Sequence, residues 1–319
     1  MKRYGAQKGI ALVTAILVVA LAAIASATIL ASANIAIRRT SNLQDSELAW
    51  WYASGVESFI RSVLERDAEN NRTDSFADNW AKAVDYLPVD EGFVRGQVID
   101  LQGRFNLNNL GAGVPGDGNF EKQQQIFVRL LGAAGVESEQ EARAIAAATR
   151  DWIDADSEPT GFDGAEDTEY LGRSPLPYRV PNRPMVSVSE LLAVKGMSRE
   201  VYAQLRDWVA ALPPPKNQFK IEPINVNTAP EAVLRALTSQ PTPELEAFMR
   251  ERVEKPAEST SDPRLGAGLG GVPLTVASAH FLLRAEIYIG SSRVGLYSFY
   301  FRPPNGGAPV IYGRSTDTE

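Results

Sequence analysis

Twenty-two consecutive residues, Ile10 to Ala31, carry neither charge nor proline. At about 1.5 Å per residue they form a helix long enough to cross the roughly 30 Å hydrocarbon core of a bilayer. The helical pattern does not stop there, because the first proline is Pro88 and Gly55 is the only glycine between Gly9 and Pro88. Beyond the apolar run, Ile35, Leu43, Leu48, Trp51, Val56, Phe59, Ile60 and Val63 recur among polar residues at helical spacing. The pattern predicts one helix over residues 10–66, about 85 Å long, apolar all round at first and then laid with one face on a domain.

The rest of the chain changes period twice. "FVRGQVIDLQGRFNLN" alternates apolar and polar positions before an Asn/Gly-rich loop, which predicts a strand or hairpin edge. Near the C-terminus, Phe281–Ile289 and Val294–Phe301 alternate on either side of "GSS" and predict a β-hairpin. Between these strands, helical spacing recurs in Gln123–Leu131, Glu139–Ile153, Val188–Val194, Ser198–Leu212, Ala229–Leu237 and Pro243–Val253, joined by proline-rich connectors such as "SPLPYRVPNRP" and "LPPPKN". That stretch, 106–269, reads as an all-helical domain inserted into an α+β domain. "SDPRLGAGLGGVPL" returns the chain to the sheet, and 304–319 reads as a flexible tail.

Composition narrows the chemistry. There is no cysteine, which excludes disulfides, thiolate metal sites and cysteine catalysis. The single histidine, His280, stands among apolar residues and reads as structural, so a histidine-dependent hydrolase is disfavoured. A net charge of −7 without any Lys/Arg block argues against broad phosphate binding. Trp50 and Trp51 lie about 28 Å beyond Ala31, too far for a membrane aromatic belt, and read as domain-packing residues.

Two segments carry candidate sites. "DWIDADSEPTGFDGAEDTEY", residues 151–170, holds eight carboxylates in twenty residues: Asp151, Asp154, Asp156, Glu158, Asp163, Glu166, Asp167 and Glu169. Calcium takes six to eight hard oxygen ligands from such flexible loops, although the spacing is not that of an EF-hand, and a solvated acidic surface loop is the alternative. Paired carboxylates for glycosidase-type acid–base work are a further option that no other residue supports. "SVSELLAVKGMSREVYAQLRDWV", residues 187–209, places two short helices around "KGM", as in helix-hairpin-helix DNA binders. Its cations Lys195, Arg199 and Arg206 are offset by Glu190, Glu200 and Asp207, while Leu191, Leu192, Val194, Val201, Leu205 and Val209 suffice for a helix-pair core.

The opening stretch admits three readings: a signal peptide cut after Ala27 or Ala33, a plain anchor, or a processed and retained helix. Lys2, Arg3 and Lys8 before it and Arg38 and Arg39 after it favour a cytoplasmic N-terminus only slightly. A basic leader ending in Gly9 and running straight into an apolar helix resembles the leader of type IV pilins and type II secretion pseudopilins. Most of that family have glutamate at the fifth mature position; Thr14 here resembles the K-type minor pseudopilins, and so do "GRFNLNNL" (103–110), the acidic segment and "INVNTAPEAVLRAL" (224–237).

The resemblance implies a prepilin peptidase cut between Gly9 and Ile10, methylation, and a single-pass inner-membrane protein with its globular part in the periplasm. It implies an α+β pseudopilin fold: leader 1–9, long helix 10–66 with 10–31 transmembrane, a small antiparallel sheet domain in 67–105 and 270–303, and the helical insertion 106–269. Structural Ca2+ is implied, with Asp154, Asp156, Glu166 and Asp167 as donors and Asp151 and Asp163 as further ones. The implied role is non-enzymatic capping of the pseudopilus tip and help in starting its assembly. The implied partners are I-type and J-type minor pseudopilins and the major pseudopilin, with no nucleic acid. The glutamate missing at Thr14 pairs, in the family, with the amino terminus of the subunit above, and a buried carboxylate without that partner is costly. The competing readings are a membrane-anchored helix-hairpin-helix DNA-binding protein and a secreted carboxylate-dependent hydrolase.

Overall fold

The long helix extends a little beyond both predicted ends: α1 runs unbroken from Lys8 to Asn70 in a computed structural model of the chain. The structure describes residues 8–112, 118–214, 221–266, 269, 273–304 and 306–316. Most of the leader therefore lies outside the described residues, as do most of the "GLGG" return and the end of "LPPPKN". From residue 9 to 44 every α1 side chain is exposed, and its apolar window of mean hydropathy 2.7 has none of its residues buried against the rest of the chain.

From Asp45 onward α1 lies on the sheet, by a face only partly the predicted one. Ala49, Ala53 and Leu64 are buried there, with Leu48, Tyr52, Val56, Ile60 and Val63 partly buried beside them. Leu43, Trp51 and Phe59 point outward, Trp51 being 77% and Phe59 66% exposed. Trp50 is also exposed, so neither tryptophan packs on its own domain as expected. The seam follows i, i+4 and i, i+3 steps through small residues, since alanine lets a helix backbone come close to a sheet where tryptophan would hold it off. Of the stripe read from the sequence, Leu48, Val56, Ile60 and Val63 pack on the sheet, whereas Trp51 and Phe59 do not.

Five strands form the antiparallel sheet: β1 (Val84–Val89), β2 (Gly92–Asp100), β7 (His280–Ile289), β8 (Ser292–Phe301) and β9 (Val310–Ser315), in the order β1-β2-β7-β8-β9. The C-terminal hairpin closes through Gly290 and Ser291, a two-residue loop that needs the left-handed backbone found at Gly290 (φ 50°). The tail expectation is corrected by β9, which pairs with β8, packs Ile311 on the core and sends Arg314 Nε and Nη2 to the buried Glu57 of α1 at 2.7 and 2.9 Å. β1 is an almost wholly exposed edge strand, where Pro88 does no harm to a ladder it need not extend.

Helix and hairpin run side by side. Ser291 N–H donates to Asp45 Oδ2 at 3.1 Å at one end, and Arg302 Nη1 donates to Asp67 Oδ2 at 2.9 Å at the other. Twenty-two helical steps cover about 33 Å and eleven strand steps about 37 Å, so the two rulers agree. A Cβ at Gly290 would stand 2.4 Å from Asp45 Oδ2. Gly290→Ala is therefore expected to cost about 1–3 kcal/mol, from the left-handed strain and this clash together; a cost below 0.5 kcal/mol in denaturant unfolding would show that the turn tolerates the shift.

The insertion is not all-helical. It contains α2 (Gly118–Ala133), α3 (Glu139–Ile153), α4 (Asp167–Leu171), α5 (Arg199–Leu205), α6 (Glu231–Ala236) and α7 (Pro243–Glu251). It also contains two-residue parallel pairs, β3 (Phe105–Asn106) with β4 (Val209–Ala210) and β5 (Ile224–Asn225) with β6 (Leu274–Thr275). The helix expected over 198–212 ends at Leu205 because the buried Val209 and Ala210 pair with Phe105 and Asn106 instead. Phe105, Phe127, Leu130, Tyr170 and Phe248 lie fully inside its core. A smaller cluster of Leu101, Ala210, Leu212 and Leu282 bolts the insertion to the outer face of the sheet.

Candidate metal centre in the acidic loop

α3 supplies the rigid side of the site. Ser138 Oγ accepts from Glu141 N–H at 3.3 Å to cap its start, and its last turn turns Arg150, Asp151 and Trp152 inward. Asp151 then gathers the loop that follows: Oδ1 accepts from Thr160 N–H at 2.9 Å and Oδ2 from Ala165 N–H at 2.6 Å. Gly164 is needed for that approach, since a Cβ there would stand 2.4 Å from Asp151 Oδ2. The fold-back carries Glu166 onto the end of α3.

Asp151, Asp154 and Glu166 meet there, each offering an oxygen within 4.8 Å of the others. One guanidinium faces them: Arg150 Nε lies 3.2 Å from Asp154 Oδ2, while its Nη1 donates to Leu110 O at 3.1 Å and its plane sits over the Phe120 ring. Glu166 is 6% exposed and neither of its oxygens has a hydrogen-bond partner; Asp154 Oδ1 is likewise buried and unpaired. Burial, and then the charges of Asp151, Asp154 and Asp156, push the Glu166 carboxyl up to about 7. Burial also raises Asp154 to about 6 against the opposing pull of Arg150, and raises Asp151. Such an arrangement is unstable as three anions and is relieved either by protons or by a cation. The donors are all oxygens and the loop is irregular, which suits a hard cation of the calcium class.

The other acidic candidates stand apart from this trio. Asp156 is exposed, its Oδ1 accepting from Glu158 N–H at 2.9 Å, and it acts on the trio through its field. Asp167 is engaged elsewhere, its Oδ1 accepting from Val180 N–H at 3.1 Å and its Oδ2 from Arg179 Nη1 at 3.1 Å. Asp163 is exposed at the loop tip beside Phe162, on a groove between α2 and α3. Sequence reasoning missed Asn182, whose Nδ2 donates to Asp156 O at 2.6 Å and whose Oδ1 is buried without a partner. Its positive φ of 45°, tolerated by asparagine between the prolines of "VPNRP", was the only local hint.

The remaining motifs are structural bolts. Asn108 of "GRFNLNNL" donates through Nδ2 to Met185 O and Leu212 O at 3.0 and 2.8 Å, and Asn109 exchanges bonds with both backbone groups of Glu222 at 3.0 and 3.1 Å. Asn227 of "INVNTAPEAVLRAL" does the same for Ala257 at 2.8 and 3.0 Å. In the "KGM" pair, Lys195 Nζ lies 3.2 Å from Glu169 and Arg206 Nε 4.0 Å from Asp207, while Leu191, Val194, Leu205 and Val209 are buried. Packing accounts for the motif. His280 is buried against Phe301 and Tyr312, and burial pushes its imidazole down to about 4, leaving it neutral.

Gly9 and Ile10 lie in the first turn of α1, and a Cβ at Gly9 would meet nothing within 4 Å among the described residues. Thr14 Oγ1 donates to Ile10 O and Ala11 O at 3.1 and 3.0 Å, so the hydroxyl is satisfied within its own helix.

Residues 103–214 match the family described as "Type II secretion system (T2SS), protein K". The chain is 34% identical over 316 residues to the type II secretion system protein K of Aeromonas hydrophila, with 93% of each chain covered. It is 34% identical over 317 residues to that of Pseudomonas aeruginosa, covering 96% of this chain and 92% of the relative. Among solved structures it is similar to the crystal structure of the GspK-GspI-GspJ complex of the enterotoxigenic Escherichia coli type 2 secretion system, with a TM-score of 0.74 and 26% identity over 88% of this chain and 100% of that one.

Proposed function

The chain belongs to the type II secretion system protein K family, and on that premise we propose that it is a minor pseudopilin that caps the pseudopilus tip and helps start its assembly. It is a structural component rather than an enzyme. The observation that carries the reading is α1: an apolar half that nothing among the described residues covers, continuous with a half that bears the folded domain. Such a helix is stable in a bilayer and equally stable among the apolar helices of other pseudopilins, which is what transfer from membrane to filament requires.

Three further features support the tip position. Thr14 is neutral and self-satisfied, so it leaves no unpaired carboxylate when no subunit lies above. The insertion widens the head well beyond the sheet and hinders a further subunit from stacking on it. Leu43, Trp50, Trp51 and Phe59 leave apolar side chains exposed on α1, suited to the helices of I-type and J-type partners and then the major pseudopilin. The solved relative assembles with GspI and GspJ.

In this reading prepilin peptidase cuts between Gly9 and Ile10, and the head stands in the periplasm with α1 in the inner membrane. Asp151, Asp154 and Glu166 would hold calcium in the acidic loop, where the ion supplies the positive charge that the buried oxygens lack. The experiment is N-terminal sequencing and intact mass of the protein from membranes of cells that contain a prepilin peptidase. A chain beginning at Ile10 is expected; one beginning after Ala27 or Ala33, or an uncut one, overturns the processing step.

A further inference from the structure

The strongest unexplained group lies where the end of α1, the sheet and the insertion meet. Asp67 in the last turn of α1, Asp74 and Asp78 each offer an oxygen within 4.8 Å of the others. Arg302 reaches two of them, donating from Nη1 to Asp67 Oδ2 at 2.9 Å and from Nη2 to Asp74 Oδ2, with a third bond from Nη2 to Ser278 O at 2.7 Å. A fourth carboxylate, Asp100, is buried alongside, where Ser278 Oγ, Thr228 Oγ1, Asn225 Nδ2 and Gln102 N–H donate to it at 2.6, 2.6, 2.9 and 2.8 Å. Arg302 is thus the guanidinium ion-paired within this group of four carboxyls.

A second observation is independent of that count. Asp74 is 1% exposed, its Oδ2 is taken by Arg302 and Ser278 N–H, and its Oδ1 is buried with no hydrogen-bond partner. A buried carboxylate oxygen left bare is costly unless something absent from the polypeptide meets it. The C-terminus of α1 adds its negative dipole end at the same place. A cavity of about 840 Å³ lined by Asp74, Asn71 and Arg302 opens on this point and gives an ion a way in.

We propose that Asp67, Asp74 and Asp78 form a second divalent-cation site, of the calcium class, that ties the end of α1 to the sheet. Arg302 holds Asp67 Oδ2 and Asp74 Oδ2, and Asp78 accepts from Asn71 Nδ2 at 2.9 Å and Ser75 N–H at 2.7 Å, so Asp74 Oδ1 is the oxygen left bare for the ion. The arrangement is a cluster of hard oxygens, one of them buried and bare, with an entry path. It is separate from the acidic loop and does not depend on it.

Equilibrium dialysis of the full chain in detergent with calcium as the only added metal tests the site. Two ions per chain are expected for the unaltered protein, one for Asp78→Asn, one for Glu166→Gln and none for the double variant. Asp78→Asn keeps an acceptor for Ser75 N–H, and Asp67→Asn, read in the same way with near-UV circular dichroism as the folding check, is the second variant. Unchanged stoichiometry in both aspartate variants overturns the junction site. A single ion that Glu166→Gln removes also overturns it while leaving the acidic-loop reading intact; a single ion that Asp78→Asn removes and Glu166→Gln keeps supports it and refutes the loop.

Discussion

Replacing Arg302 with alanine is expected to lower the unfolding free energy by about 3–5 kcal/mol, the cost of breaking a buried ion pair by removing one partner. The guanidinium is 8% exposed and its partners Asp67 and Asp74 are 14% and 1% exposed, so water cannot replace it. The contrast is Arg95 with Glu286, whose side chains are 50% and 26% exposed and whose loss should cost less than about 1 kcal/mol. Urea unfolding of the full chain in detergent gives both numbers. Adding Asp74→Asn to Arg302→Ala should recover part of the loss, because it removes the charge that was stranded. A loss below 1 kcal/mol for Arg302→Ala would mean that the junction is hydrated and that its buried charges are already neutral.

Calcium is expected to stabilise the chain at pH 7.5 by about 2.7 kcal/mol per site when present at a hundred times its dissociation constant, which for a domain of this size is on the order of 5–10 °C in Tm. Glu166→Gln should lose most of the contribution from the acidic loop. The chelated protein should also depend on pH in a telling direction. Glu166 and Asp74 are pushed up to about 7 and Asp154 to about 6, from ordinary values near 4. A raised carboxyl contributes stability that is present below its unfolded value and lost as pH rises through its folded value. The metal-free protein should therefore become more stable as pH falls from 7.5 toward 6. His280, held down to about 4, opposes this below about 6.5, but it is one group against three. Bound calcium needs these carboxylates ionised, so in its presence the slope should flatten or reverse. A calcium-independent midpoint at every pH would sink the metal reading.

The sequence shows most clearly those elements whose period is long and unmixed. The helix Glu139–Ile153 and the hairpin strands stand within two residues of their predicted bounds because each keeps one period over eight or more residues. β1 and β9 are hidden for the opposite reason: each is a six-residue edge strand with one exposed flank, and β9 also leans on a residue far along the chain, Glu57 for Arg314. The packing face of α1 is read in part: Leu48, Val56, Ile60 and Val63 pack as expected, but Ala49 and Ala53, buried at its centre, carry no hydrophobic bulk to count.

Within the acidic loop, spacing alone does not separate the converging residues from the rest. Asp154 and Asp156 stand two apart and look equivalent, but the end of α3 turns the first inward and leaves the second in solvent. Asp167 looked available until Arg179, twelve residues on, claimed it. Asp74, Asp100 and Arg302 carried no motif at all, since their convergence depends on three separate parts of the chain.

The alignment of α1 along the hairpin also decides how the molecule carries force. The seam begins where Asp45 meets Ser291 and ends where Asp67 meets Arg302. A thrust or pull along the helix axis loads that whole seam in shear, every contact at once, with the buried ion pairs at its far end as the last to yield. A sideways tug loads only the first contact and opens the seam like a zip, starting at the small Asp45 to Ser291 turn. The head is therefore expected to resist a load along the helix axis better than a lateral one.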